Sequence, residues 1–250
     1  MALAHPALTR TDHRPFAMPP DPWRWRQSWH NLLFMHWPVP ASVLRAHIPP
    51  AAAIDEREGT AWLGLVPFTM TGVTMRSMPA LPWLSAFAEM NLRTYVTVDG
   101  KPGVWFLRMD CARLPAVLAA RSLLGLPYVW SRMRVDERTL PIAYDSRSGP
   151  ARFRATYQPT APAREPPAGS LEAFLTERYC LYTVRARRLW RVVIHHPPWP
   201  LQAAAADVGT NTVHAALGLP GPAGAPLVHF AKRIDVIGWG PELCGGIQAD

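Results

Sequence analysis

The chain is 250 residues long and basic, with 26 Lys+Arg against 18 Asp+Glu and a pI near 10.0. That length suits one β-rich domain with a sizeable core, and no apolar run reaches the roughly 20 residues a membrane-spanning helix needs. The positive charge forms no stripe: its densest run is Arg185-Ala186-Arg187-Arg188, and every basic residue except Lys101 and Lys232 is arginine, so nucleic acid is not an expected partner, and with no spanning run neither is a membrane.

Met1–Pro20 mixes charges and lacks the apolar segment of a secretory leader, so residues 1–22 are expected to form a flexible tail ahead of a domain running from 23 to 250. In the first strand-like stretch, Leu32, Phe34 and His36 share one face, and Leu33, Met35 and Trp37 share the other. His36 therefore keeps apolar company, either as a hydrogen-bonded structural histidine or as a ligand contact.

The most informative stretch is 87–96. Ala88, Met90, Leu92, Thr94 and Val96 suit a core, while the other face sets Glu89, Asn91 and Arg93 in a row between Phe87 and Tyr95. Same-face neighbours on a strand lie roughly 6.6–6.8 Å apart, so Asn91 reaches both charges while Glu89 and Arg93 stay roughly 13 Å from each other. Such a row lines a polar pocket for a small acid, or else a solvated sheet face.

Val98-Asp99-Gly100-Lys101-Pro102-Gly103 is dense in turn formers, and 104–110 reads as the returning strand of a long hairpin. Pro115 in a first turn and Gly125 as a stop delimit a short apolar helix, and Leu126-Pro127-Tyr128 leads into another strand. The proline-rich run 158–169 excludes helix and interior strand, so it is a surface loop, after which Ser170 caps a short helix to about Arg178. Further strands are expected at 179–185, 188–195 and 227–239, the last alternating His229, Ala231, Arg233 and Asp235 against Phe230, Lys232 and Ile234. Ten or so strands with two or three short helices give a mainly β (α+β) fold. The expected form is a single-domain curled antiparallel sheet or barrel, with a cavity for one small ligand.

Cys111, Cys180 and Cys244 are odd in number and far apart, which points to neither a disulfide framework nor a Cys-x-x-Cys metal site, so a reducing cytoplasm is the expected location. His195 and His196 are adjacent, so they face opposite sides of a strand, and no third ligand stands at a zinc-like spacing. No metal and no cofactor are expected.

The order of polar strand, Gly-turn hairpin, short helix, Gly-x-Pro and strand resembles the acetoacetate decarboxylase-like superfamily, and within it the YqjF-like family of uncharacterised bacterial proteins. The likeness is carried by 29–40, by 61–68, by 89–96, by Gly103-Val104-Trp105-Phe106, and by Ala120-Arg121 with Leu126-Pro127-Tyr128. Near the end it is carried by 196–201 and by Pro226-Leu227-Val228-His229-Phe230, so that it spans from about Trp23 to about Trp239. It implies the fold and a pocket, with Glu89 at an acidic pocket position. In acetoacetate decarboxylases a lysine just after the Gly-x-Pro forms a Schiff base with the substrate ketone. Here Gly125-Leu126-Pro127 runs into Tyr128 and Val129, which carry no amine. Arginine has no lone pair to substitute, and Lys101 sits in a turn, which leaves Lys232 as the one relocated candidate. Imine chemistry is therefore not expected.

Two functional readings follow. In the first, the barrel is an enzyme acting on a small carboxylate or carbonyl compound without a Schiff-base lysine. Glu89 is then the general acid/base, Arg93 the anion anchor and Tyr128 a hydrogen-bond donor, with His36, Asn91, Tyr95 and Arg121 as further binding residues. In the second, the same cavity binds its ligand without catalysis. The expected partner is an anionic or carbonyl-bearing small molecule, and a homo-oligomer stays open.

Overall fold

The computed structural model describes residues 5–78 and 85–246. The chain begins with β1 (Trp25–Val39), helix α1 (Ala41–Arg45), β2 (Ala53–Ile54), β3 (Ala61–Met75), β4 (Phe87–Val98) and β5 (Lys101–Cys111). Helix α2 (Leu114–Leu124) and β6 (Tyr128–Trp130) follow, then β7 (Arg132–Asp136), β8 (Ile142–Ser148) and β9 (Ala151–Pro159). Helix α3 (Leu171–Thr176), β10 (Cys180–Arg185), β11 (Arg188–His195), β12 (Gln202–Asn211) and β13 (Leu227–Gly246) complete it.

Seven strands close into a barrel in the order β1-β3-β4-β5-β10-β11-β13, with β13 pairing back onto β1. The barrel is mixed rather than wholly antiparallel, because β10 lies parallel to β5, and β6 also runs parallel to β5 at Met109–Cys111. A second sheet, β12-β9-β8-β7, continues from β13 and folds over the outside. Its Ile142, Tyr144, Phe153, Ala155 and Tyr157 join Leu33, Met35, Leu63, Leu65, Met90 and Leu92 in one buried cluster. The opposite face of β1, β3 and β4 therefore looks into the barrel.

Local chemistry explains the punctuation. Asp99 and Gly100 both take positive φ, 50° and 69°, as a two-residue turn that matches the twist of the β4–β5 hairpin requires. Pro115 starts α2, and Gly125 ends it at φ 68° with its N–H on the Arg121 carbonyl. The Ser170 hydroxyl accepts from Ala173 N–H at 3.1 Å to cap α3, which is shorter than expected and stops at Thr176.

Two expectations need correction. Residues 5–22 are not a flexible tail, for a 3-10 turn at Pro6–Thr9 docks on the barrel, Ala7 is fully buried, and Arg14 Nη1 donates to the Ile194 carbonyl at 2.8 Å. Trp23 anchors the same segment among Val193, Ile237 and Trp239. The alternation expected along β13 breaks, since Ala231 packs with Ile234 and Val236 in one cluster. The break falls opposite Asn31, which takes φ 52° beside a register shift of β1 against β3 between His30 and Met35, while β1 and β13 stay in register. The alanine-rich 202–211, to which the sequence assigned no element, is a strand, because β9 pairs along it and β13 takes its first two residues.

Where β10 crosses β5, Gly103 allows the approach. A Cβ there would sit 2.6 Å from the Cys180 carbonyl oxygen and 2.7 Å from its sulfur. Gly103→Ala should therefore lower stability by about 3 kcal/mol through overpacking, measurable as a drop in the urea midpoint.

Candidate functional site

Cross-strand pairing fixes which side chains share the barrel interior. Glu89 lies opposite Phe68 and Cys111, Asn91 opposite Val66 and Met109, and Arg93 opposite Gly64 and Phe106. One extra residue, Leu107, sits between the partners of Leu92 and Arg93, so β5 changes which of its residues point inward. The row Glu89, Asn91, Arg93, Tyr95 thus lies inside the barrel, where Glu89 and Tyr95 are fully buried and Asn91 nearly so.

The row divides into two ends. At one end the Tyr128 hydroxyl donates to Glu89 Oε2 at 2.8 Å. Tyr128 is only half-buried as a residue, but its hydroxyl meets a carboxyl that water does not reach. Burial pushes the Glu89 carboxyl up to about 8, opposed in part by the Tyr128 hydrogen bond, so the acid is mostly neutral at pH 7. Burial first, then Glu89, raises the Tyr128 phenol. Cys111, directly across from Glu89, is buried, and its thiol is pushed up to about 12 by burial first and Glu89 second, which makes it a poor nucleophile.

At the other end the Tyr95 hydroxyl donates to the Leu175 carbonyl of α3 at 2.8 Å and meets His36 Nε2 at 2.7 Å. A phenol has one proton, so His36 carries its own on Nε2 and leaves Nδ1 as an acceptor. Burial, then Arg93, then His229 hold His36 well below the ordinary imidazole value, so it is neutral. Arg93 Nη2 donates to the same Leu175 carbonyl at 3.3 Å, and its guanidinium lies over the rings of Phe34 and Tyr95 at 5.6 and 5.7 Å. Gly64 makes room, as a Cβ there would stand 3.0 Å from His36 Cδ2 and 3.4 Å from Arg93 Cγ.

Arg93 and Glu89 do not pair with each other, and among the described residues neither forms an ion pair. Buried polar atoms without a protein partner gather in the same row: His36 Nδ1, Asn91 Oδ1 and Arg93 Nε. A buried polar group left unpaired costs about 1–3 kcal/mol, so this set calls for a ligand or ordered water.

The structure brings together six of the seven residues expected from the sequence: Glu89 with Tyr128, then Asn91, and then Arg93 with His36 and Tyr95. Arg121 stands apart, because its side chain is exposed on α2. Lys232 is also exposed and lines an outer cleft beside Asn31 and Arg233, away from the interior row. A larger surface cleft, of about 680 Å³ between the barrel and β7, includes His30, Thr69, Arg113 and Glu137 but none of the expected site residues. Sequence reasoning missed His229, which faces inward opposite Phe34 and meets Glu172 Oε1 at 3.2 Å. Its alternation with Ala231 was the available signal. His195 and His196 both stack on Tyr179 and differ in their hydrogen bonds. His195 binds the N-terminal segment through the Ala7 carbonyl at 2.8 Å, and His196 meets the Pro197 carbonyl.

The fold matches solved structures over nearly its whole length. The enduracididine biosynthesis enzyme MppR complexed with pyruvate superposes with a TM-score of 0.65 at 13% identity over 92% of each chain. An acetoacetate decarboxylase-like enzyme from Sphingomonas wittichii RW1 gives 0.63 at 13%, covering 93% of this chain and 98% of that one. Acetoacetate decarboxylase from Legionella pneumophila gives 0.64 at 12%, covering 94% and 95%. At such identities these likenesses establish the fold alone. In sequence, the uncharacterized protein YqjF of Bacillus subtilis (strain 168) is 40% identical over 233 residues, 92% of this chain and 96% of that protein. The DUF2071 family, described as an uncharacterized conserved protein, matches residues 26–235, and the chain belongs to that family.

Proposed function

We propose that the barrel interior binds a small carboxylate-bearing carbonyl compound and acts on it by acid/base chemistry without an imine. The observation that carries this reading is the pairing of an uncompensated guanidinium, Arg93, with a neutral buried carboxyl, Glu89, on one inward-facing strand. Arg93 holds the anionic end of the ligand, its unpaired Nε donating to the carboxylate, while the acceptors Asn91 Oδ1 and His36 Nδ1 take protons from a ligand hydroxyl, an enol or ordered water. Glu89, steadied by Tyr128, then lies roughly 13 Å of strand away; in its neutral form it protonates the far oxygen, and in its ionised form it takes a proton from the carbon beside the carbonyl and returns it. The fold's relation to enzymes, one of them complexed with pyruvate, supports a ligand of this size.

The test separates catalysis from binding. Calorimetric titration with pyruvate and acetoacetate should show binding that Arg93→Ala weakens at least about tenfold, as expected for a lost charge-assisted hydrogen bond. The same variant should lose only about 1–2 kcal/mol of stability, since Arg93 gives up one carbonyl hydrogen bond and two ring contacts. In heavy water, the parent should exchange the protons beside the ligand carbonyl and Glu89→Gln should not, with binding retained in both. Binding with no exchange in the parent would make the cavity a binding module. Borohydride trapping should leave the protein mass unchanged, because the interior row contains no lysine.

A further inference from the structure

Helix α2 contradicts the rule that helices apolar all round are buried. Only Val117 of its eleven residues is fully buried, while Leu114, Leu118 and Leu123 are 50%, 59% and 63% exposed. Its solvent face carries Leu114, Pro115, Leu118, Ala119 and Leu123, and the one hydroxyl there, Ser122, is turned inward to the Leu118 carbonyl at 2.7 Å. A helix presenting this much apolar surface needs a cover.

The surrounding charge says what kind. Exposed Arg113 holds the N-cap position at the start of the helix, and exposed Arg121 projects from its last turn. At its C-terminus the tip of the β10–β11 hairpin brings Arg185, whose Nη1 donates to the Leu123 carbonyl at 2.7 Å, together with exposed Arg187 and Arg188. None of these five forms an ion pair among the described residues, and no Asp or Glu occurs between Cys111 and Val135 or between Arg178 and Ala206. Two copies meeting through this face would bring like charges together, which disfavours self-association. A polyanion without apolar depth, such as a nucleic acid, would leave the leucines in water. An anionic bilayer answers both features, taking the leucines below its headgroups and the guanidiniums among its phosphates.

We propose that α2 docks the protein on the surface of anionic lipid bilayers, lying in the interface rather than crossing it. The lack of a spanning segment, which led the sequence to exclude a membrane partner, does not bear on a helix of this kind.

The full chain should co-sediment with vesicles of equal parts phosphatidylcholine and phosphatidylglycerol, and not with phosphatidylcholine alone. Binding should fall steeply with added salt as the charges are screened. The double variant Leu118→Asp/Leu123→Asp, with an unchanged melting curve, should bind at least about tenfold more weakly. Arg121→Glu/Arg187→Glu tests the charges separately and should weaken binding to a similar degree. Absence of binding to the mixed vesicles would overturn the proposal, as would binding that neither double variant changes. A concentration-dependent dimer that Leu118→Asp/Leu123→Asp dissolves, without vesicle binding, would assign the face to a second copy instead.

Discussion

Glu89→Gln is expected to flatten the alkaline side of the stability profile. Between about pH 5 and pH 8.5 the parent should lose on the order of 4 kcal/mol that the variant keeps, because the buried carboxyl titrates at about 8 folded and near 4.5 unfolded. A group whose folded value is raised contributes fully below its unfolded value and loses that contribution as pH climbs through the folded one. Glutamine keeps the shape of the protonated acid and has nothing to titrate. The acid side should behave oppositely and be shared by both proteins. Burial lowers His195 and His196 to about 4 and His36 well below its ordinary value, so their contribution is present above pH 6.5 and lost on acidification. Urea unfolding of both proteins across this range checks the prediction, and parallel curves on the alkaline side would remove Glu89 from its buried, neutral role.

Asp110→Ala should be the most damaging change outside the interior row, at about 3–5 kcal/mol. Asp110 accepts from Arg108 Nε and Nη2, both at 2.8 Å, and from the Ser131 hydroxyl, and all three residues are buried. Removing the carboxylate leaves the Arg108 guanidinium buried without its partner, whereas removing both charges does not. Arg108→Met/Asp110→Leu should therefore recover most of the loss, and a thermal melt of the single and double variants reads the difference. A double variant no better than Asp110→Ala would mean that packing, not charge, dominates there.

Much of this was legible because strand alternation is a strict geometric rule. The two faces of β4 emerge as read, since Met90 and Leu92 meet the second sheet while Glu89 and Asn91 turn inward. Turn and cap chemistry placed the hairpin at Asp99-Gly100 and the helix stop at Gly125. The losses occurred where one residue breaks the period. Asn31 and Leu107 each insert a step that no local composition announces, and they decide which residues of β1, β13 and β5 look inward. Arg121 was misjudged because a helix apolar on every side gives no clue to its buried face. The alanines of β12 favour helix by propensity, and only sheet pairing overrides it. The tail was misread because its apolar anchors, Ala7, Leu8, Phe16 and Met18, are too sparse and aperiodic to announce a packed element, and the hydrogen bonds of Arg14 and His195 that pin it form only across the fold.

The pairing of β1 with β13 also dictates when the protein is able to fold. Trp25 meets Gly238 and His36 meets Leu227, contacts that join segments about two hundred residues apart. On the ribosome, β1 and β3 must therefore wait with one edge open and Phe34 and Leu32 unshielded until the last strand emerges. Nascent chains stopped before residue 227 should need a chaperone to stay soluble, and folding should be a single late event and not a stepwise one.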